Sequence, residues 1–213
     1  MKRIITIILL IMHFQWVNAI ELTIKYRDGT SEIKYFDDDM EKLSITYGRG
    51  YNIVAIIGLE KFGNLRELWL GMTPYISDYN FLRNLNTIET LVFQDILISD
   101  IDFIYEMASL KRLIFQSCRI KEKIDASKLP NLEYFEFTHS SLTEFPIINL
   151  EKRNMEIINI AYNNISSIPL EETTDIIIIA LRNPLDNFNY ENVITVDTNI
   201  YFLLPEKYRE YVR

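Results

Sequence analysis

The sequence predicts an α/β-type repeat solenoid, and two observations carry that prediction. A short run of the form apolar-x-apolar recurs seven times, and three residues after its second apolar comes a turn position at Thr73, Ile96, Cys118, Ser140, Asn163, Asn183 and Asn199. The steps between those positions are 23, 22, 22, 23, 20 and 16 residues. The matched apolar pairs are Leu68/Leu70, Leu91/Phe93, Leu113/Phe115, Phe135/Phe137, Ile158/Ile160, Ile178/Ala180 and Ile194/Val196. One strand and one return segment cannot bury an apolar face alone, so such units must stack on their neighbours. The architecture expected is a leucine-rich repeat horseshoe with a parallel sheet on its concave face and mostly 3₁₀ or irregular returns.

Elements are assigned in chain order. Lys2-Arg3, the apolar run Ile4–Val17 and the Val17-Asn18-Ala19 tripeptide read as a signal peptide over 1–19, cleaved after Ala19. The competing reading is an uncleaved anchor, which His13 and Gln15 inside the run oppose. Residues 20–42 form an N-terminal cap: Ile20, Leu22, Ile24 and Tyr26 alternate with polar residues, then Asp28-Gly29 gives a hairpin turn before Ile33 and Tyr35. Asp37-Asp38-Asp39 lacks the spaced oxygen ligands of a calcium loop and reads as a solvated turn.

The repeats are placed at 43–199, beginning with an irregular coil at Leu43/Ile45. Ile98, Ile101 and Ile104, and again Leu142, Phe145 and Ile148, recur every three residues, which suits 3₁₀ or extended returns. A C-terminal cap at 200–213 is expected from Tyr201–Leu204, Pro205 and the shared face of Tyr208, Tyr211 and Val212.

Removal of the first 19 of 213 residues leaves 194, enough for one elongated domain, with a formal charge near −10. That acidity disfavours nucleic acid and anionic membranes as partners. The single cysteine, Cys118, cannot form an internal bridge. No cysteine follows the signal peptide to accept a lipid and no hydrophobic tail closes the chain, so release to the periplasm or medium is expected, as a monomer with no membrane insertion after cleavage.

Leu97-Ile98-Ser99-Asp100-Ile101-Asp102-Phe103-Ile104, followed by Leu110-Lys111-Arg112-Leu113-Ile114-Phe115, resembles the 22-residue repeat of bacterial internalins. Ile76-Ser77-Asp78 and Ile165-Ser166-Ser167-Ile168 echo it. The resemblance covers roughly Leu43 to Asn199. It implies a small secreted bacterial member that binds a protein partner. The chain departs from the internalin pattern in keeping Asn at the turn only at Asn163, Asn183 and Asn199, and it has no wall-sorting signal and no immunoglobulin-like module.

Strand alternation sends the residue between each apolar pair to the concave face. That column reads Trp69, Val92, Ile114, Glu136, Asn159, Ile179 and Thr195, and the column before it Glu67, Thr90, Arg112, Tyr134, Ile157, Ile177 and Val193. The candidate partner-binding residues are Trp69, Val92, Arg112, Ile114, Tyr134, Glu136, Asn159 and Tyr162. Trp69 stands open on the sheet or lies under the N-terminal hairpin; Ile176–Ile179, apolar on both faces, needs a cover on each side. The alternative is an envelope-associated structural or glycan-binding protein, in which exposed Trp69, Tyr134 and Tyr162 would stack on sugars. No enzyme is expected: His139 beside Ser140 and Ser141 has no nucleophile elbow around it, and Cys118 occupies a structural turn position. No cofactor and no metal is expected.

Overall fold

In the computed structural model, the described residues are 19–46, 52–150, 154–169, 176–185 and 193–194. The predicted signal peptide, Asn199 and the predicted C-terminal cap lie outside them.

Asp28-Gly29 turns the chain as expected. Gly29 has φ 84°, and Asp28 Oδ1 accepts from the Thr30 amide (2.9 Å) and hydroxyl (2.6 Å), so β1 (Ala19–Tyr26) pairs antiparallel with β2 (Ser31–Asp37). After β3 (Lys42–Ile45), a strand the sequence reading missed, β4 (Ile53–Ile57), adds to the other edge of β1. Gly58, which follows it at φ 103°, approaches β1 so closely that a Cβ would stand 2.5 Å from the Glu21 carbonyl. Only glycine fits there.

The repeats supply β5 (Glu67–Gly71), β6 (Thr90–Gln94), β7 (Leu97–Ile98), β8 (Arg112–Gln116), β9 (Arg119–Ile120), β10 (Ile124–Asp125), β11 (Tyr134–Thr138), β12 (Ile147–Ile148), β13 (Ile157–Asn159), β14 (Ile177–Ile179) and β15 (Val193–Ile194). Seven of these strands join β3 in one eight-stranded sheet, in the order β3-β5-β6-β8-β11-β13-β14-β15, every pair parallel. Leu43, Leu68, Leu91, Leu113, Phe135, Ile158 and Ile178 fall in register across it, as the repeat spacing requires. The far end differs by one residue: Val193, not Ile194, lies opposite Ile178. The shortened step into this coil changes the register along with the length.

Returns behave largely as the three-residue spacing implies. Ile98, Ile101 and Ile104 are buried around a 3₁₀ turn at Asp102–Glu106. The exception is Ile148, which is exposed while Ile147 is buried, because β12 is extended there and alternates by two. The Ile-Ser-Asp signature has a mechanical role. Its Asp78 and Asp100, and Asp125 directly after Ile124 outside the signature, each accept a hydrogen bond from the backbone N–H two residues on, at 2.7, 2.8 and 3.0 Å, forming an Asx turn in the return.

Inside the coil, Phe93, Phe115 and Phe137 occupy the second apolar position of consecutive repeats. Their ring centroids are 5.5 and 5.0 Å apart along the stack. These rings carry much of the core burial.

Candidate functional site

The turn position is a ladder between coils, and it ties adjacent coils together without a full set of asparagines. Asn163 Nδ2 donates to the carbonyls of Phe137 (2.7 Å) and Ile160 (3.0 Å), while its Oδ1 accepts from the amides of Ser140 (3.0 Å) and Leu142 (3.1 Å). Asn183 repeats the pattern toward Ile160 and Ile165. Cys118 makes weaker versions of two of the contacts Asn163 makes, its thiol donating to Phe93 and Gln116 carbonyls at 3.3 Å. Ser140 Oγ accepts from the Cys118 amide (3.0 Å) and donates to the Thr138 carbonyl (2.7 Å). Thr73 shares a hydrogen bond with Tyr79, and Ile96 offers only apolar contact.

Just before each of these positions stands a non-glycine residue in the left-handed region: Met72, Asp95, Ser117, His139, Tyr162 and Arg182, with φ between 53° and 58°. Such a conformation is uncommon for these residue types. It is held by the next coil: the amides of Met72, Asp95, Ser117, His139 and Tyr162 donate to Gln94, Gln116, Thr138, Ala161 and Leu181 carbonyls. The turn lifts this row of side chains onto the edge of the sheet. Tyr162 therefore lies on that edge and off the concave strip, stacked on His139 at 4.3 Å with 14° between the rings.

The seven other candidates stand on the concave side, as alternation requires. Val92, Ile114, Tyr134, Ile157, Ala161, Ile179 and Leu181 form an apolar cluster separate from the solenoid core, and Trp69 and Ile177 pack against it. Ile20, Leu22, Ile24 and Tyr26 of the hairpin belong to the core on the opposite side of the sheet. Trp69 is thus half-buried among concave neighbours, with its indole N–H donating to Glu67 Oε1 at 2.6 Å. Tyr134, expected as an outward anchor, does face that way but has 0% exposure.

Three candidates meet in one polar network. Glu136, 4% exposed, accepts on Oε1 from Gln116 Nε2 (3.0 Å) and Thr138 Oγ1 (3.0 Å), and on Oε2 from Tyr134 OH (2.7 Å) and Asn159 Nδ2 (3.1 Å). Asn159 Oδ1 accepts in turn from the Ala161 amide at 3.1 Å. Four donors on one buried carboxylate fix the rotamers of strands β8, β11 and β13 relative to one another. Arg112 is half-buried beside this network and donates from Nε to Thr90 Oγ1 at 2.8 Å. Sequence reading found these residues by alternation but not their mutual bonding, for which the signal was Glu136 with Tyr134 and Thr138 two residues to either side on its own strand and Asn159 at the equivalent position one coil on.

Burial pushes the Cys118 thiol up to about 11, chiefly by desolvation. Among the described residues no group of three or more His, Cys, Asp and Glu side chains is arranged to hold a metal ion. No described helix is long and apolar enough to cross a membrane.

No family model matches the chain, and no curated protein matches it. Among solved structures it is similar to an internalin C2 from Listeria monocytogenes at 17% identity and TM-score 0.51, covering 76% of this chain and 84% of that one. An internalin (inlF) from the same organism aligns at 19% identity and TM-score 0.49, over 78% of this chain; the chain spans 59% of its length. TLR13, in its complex with ssRNA13, aligns at 17% identity and TM-score 0.51 over 65% of this chain and 23% of that one. Likeness at this level concerns the fold, a leucine-rich repeat solenoid.

Proposed function

We propose that this leucine-rich repeat protein is a small secreted recognition module of internalin type, exported by a bacterium, that binds a protein partner through its concave face. The observation that carries the reading is the concave cluster itself: an apolar strip across five adjacent strands, tied at its centre by the Glu136 network. The members of this cluster are at most 7% exposed, so it gives the concave face a rigid floor, and the less buried residues at its margin are what a partner meets. Val92, Ile114, Tyr134, Glu136 and Asn159 form its floor. Trp69 and Arg112, both half-buried, and Tyr162 at the exposed edge are the accessible contacts, and Trp, Tyr and Arg are the residue types that dominate interface energetics.

The glycan alternative loses support from the same geometry. A sugar-binding platform needs several open rings on one strip, whereas Trp69 is half-buried, Tyr134 is buried and Tyr162 lies on the edge row. The experiment is capture by the immobilised, exported protein from host-surface and envelope fractions, run beside a glycan array. A protease-sensitive ligand, lost with Trp69→Ala, is expected. Binding that survives proteolysis of the fraction and appears on the array would overturn the protein reading in favour of a glycan.

A further inference from the structure

The concave strip is more deeply buried than an open sheet allows. Val92, Tyr134 and Ile157 are 0% exposed and Ile179 is 1% exposed. A single layer of side chains standing on a sheet touches its neighbours sideways, and its outer ends stay in water unless other atoms lie across them. The described members of the apolar cluster, from Trp69 to Leu181, all belong to that one layer, while the N-terminal hairpin packs on the opposite side of the sheet. Burial is also graded along the strip. Lys42 and Ser44 on β3 are exposed, Glu67 and Trp69 on β5 are half-buried, and from β6 to β14 the same two columns are buried but for half-buried Arg112 and Ile177. The cover therefore enters from the β15 side, where the chain leaves the repeats, and not from the hairpin side, where residues 1–18 join β1.

We infer that residues 195–213 of this same chain lie across the concave strip from β14 to β6, as an intramolecular occupant of the binding face. Five strand spacings of about 4.8 Å separate β15 from β6, about 24 Å in all. The 19 residues after Ile194 reach about 28 Å even at the 1.5 Å rise of a helix, so the length suffices in any conformation. They contain the uninterrupted apolar run Ile200-Tyr201-Phe202-Leu203-Leu204, which matches a floor of Val92, Ile114, Ile157 and Ile179. The carboxylate in that floor, Glu136, already accepts from four donors, so it presents no unmet charge to an apolar segment. The functional consequence rests on the concave-face reading. A partner meets Trp69 directly and reaches the strip beyond it only by displacing this segment.

Photo-capture on the full chain tests the occupant with no partner present, so its failure is distinct from failure of the recognition reading. A benzophenone side chain at Gln94, half-buried at the β6 end of the strip, should cross-link within the chain to peptides from 195–213, read by mass spectrometry. Thiol labelling gives a second measure. Ile114→Cys, although placed outward by alternation, should label far more slowly than an unstructured peptide thiol. Adding Phe202→Asp and Leu203→Asp should raise its rate at least about tenfold, with the circular dichroism spectrum unchanged. If that variant misfolds, the cross-link decides. Free labelling of Ile114→Cys in the otherwise unchanged chain overturns the inference, as does a thiol that stays protected when the folded chain carries both changes. So does a cross-link to residues 1–18, to any other segment or to a second copy, or release of the thiol by Leu9→Asp with Leu10→Asp instead.

Discussion

Asn163→Ala probes the inter-coil ladder where it is most complete. The side chain is 4% exposed, and its removal breaks four hydrogen bonds of 3.1 Å or shorter, to the carbonyls of Phe137 and Ile160 and from the amides of Ser140 and Leu142, of which the Ile160 carbonyl keeps a second partner in Asn183. At roughly 0.5–1.5 kcal/mol net per bond, with water poorly placed to substitute, the loss is about 4 kcal/mol. For a chain of this length each kcal/mol moves the melting temperature by about 2–4 °C, so a fall of about 8–16 °C is expected. Thermal melting followed by circular dichroism reads the total. Amide hydrogen exchange reads the location, since Ser140 and Leu142 should lose protection before residues in distant coils do. Asn163→Asp keeps the shape but faces two carbonyls with a carboxylate, and should be at least as damaging at neutral pH. A melting temperature within about 1 °C of the parent, with Ser140 and Leu142 still protected, would refute the claim that side-chain bonding between coils holds this half of the solenoid.

Other perturbations follow from the same geometry. Phe135→Ala empties a fully buried site between Phe115 and Phe137 and should cost about 3–5 kcal/mol in urea denaturation. Gly58→Ala should destabilise the cap, visible as early loss of protection in β1 and β4, because the added Cβ meets the Glu21 carbonyl at 2.5 Å. Glu136→Gln turns an acceptor into an NH₂ facing donors and should cost about 1–3 kcal/mol in the same denaturation assay. The Cys118 thiol, buried and pushed up to about 11, should be unreactive toward a disulfide reagent at pH 8 until denaturant is added.

The sequence made the solenoid legible because its core positions obey a strict spacing: Leu68, Leu91, Leu113 and Phe135 had to be neighbours for any coil to close. The hairpin was legible through Asp28-Gly29, whose turn chemistry is local. The pairing of β4 with β1 was not, since Ile53–Ile57 is a short apolar run whose partner lies far back in the chain. Nor was the left-handed row from Met72 to Arg182, where coil stacking overrides residue preference. The site was half visible. Alternation put Trp69, Val92, Arg112, Ile114, Tyr134, Glu136 and Asn159 on one face, but burial depends on neighbours in three dimensions. So Tyr134, which alternation suggests could be truncated harmlessly, is a structural residue whose loss should lower stability.

The most direct test of the central claim is the affinity of the captured partner for surface variants, measured by calorimetry on proteins of matched melting temperature. Trp69→Ala and Arg112→Ala should each weaken binding by at least about 1–2 kcal/mol. Tyr105→Ala with Lys128→Ala, a pair stacked 4.5 Å apart on the return segments, should leave it unchanged. Unchanged affinity in the first two variants, with binding abolished by the return-segment pair, would contradict recognition through the concave face.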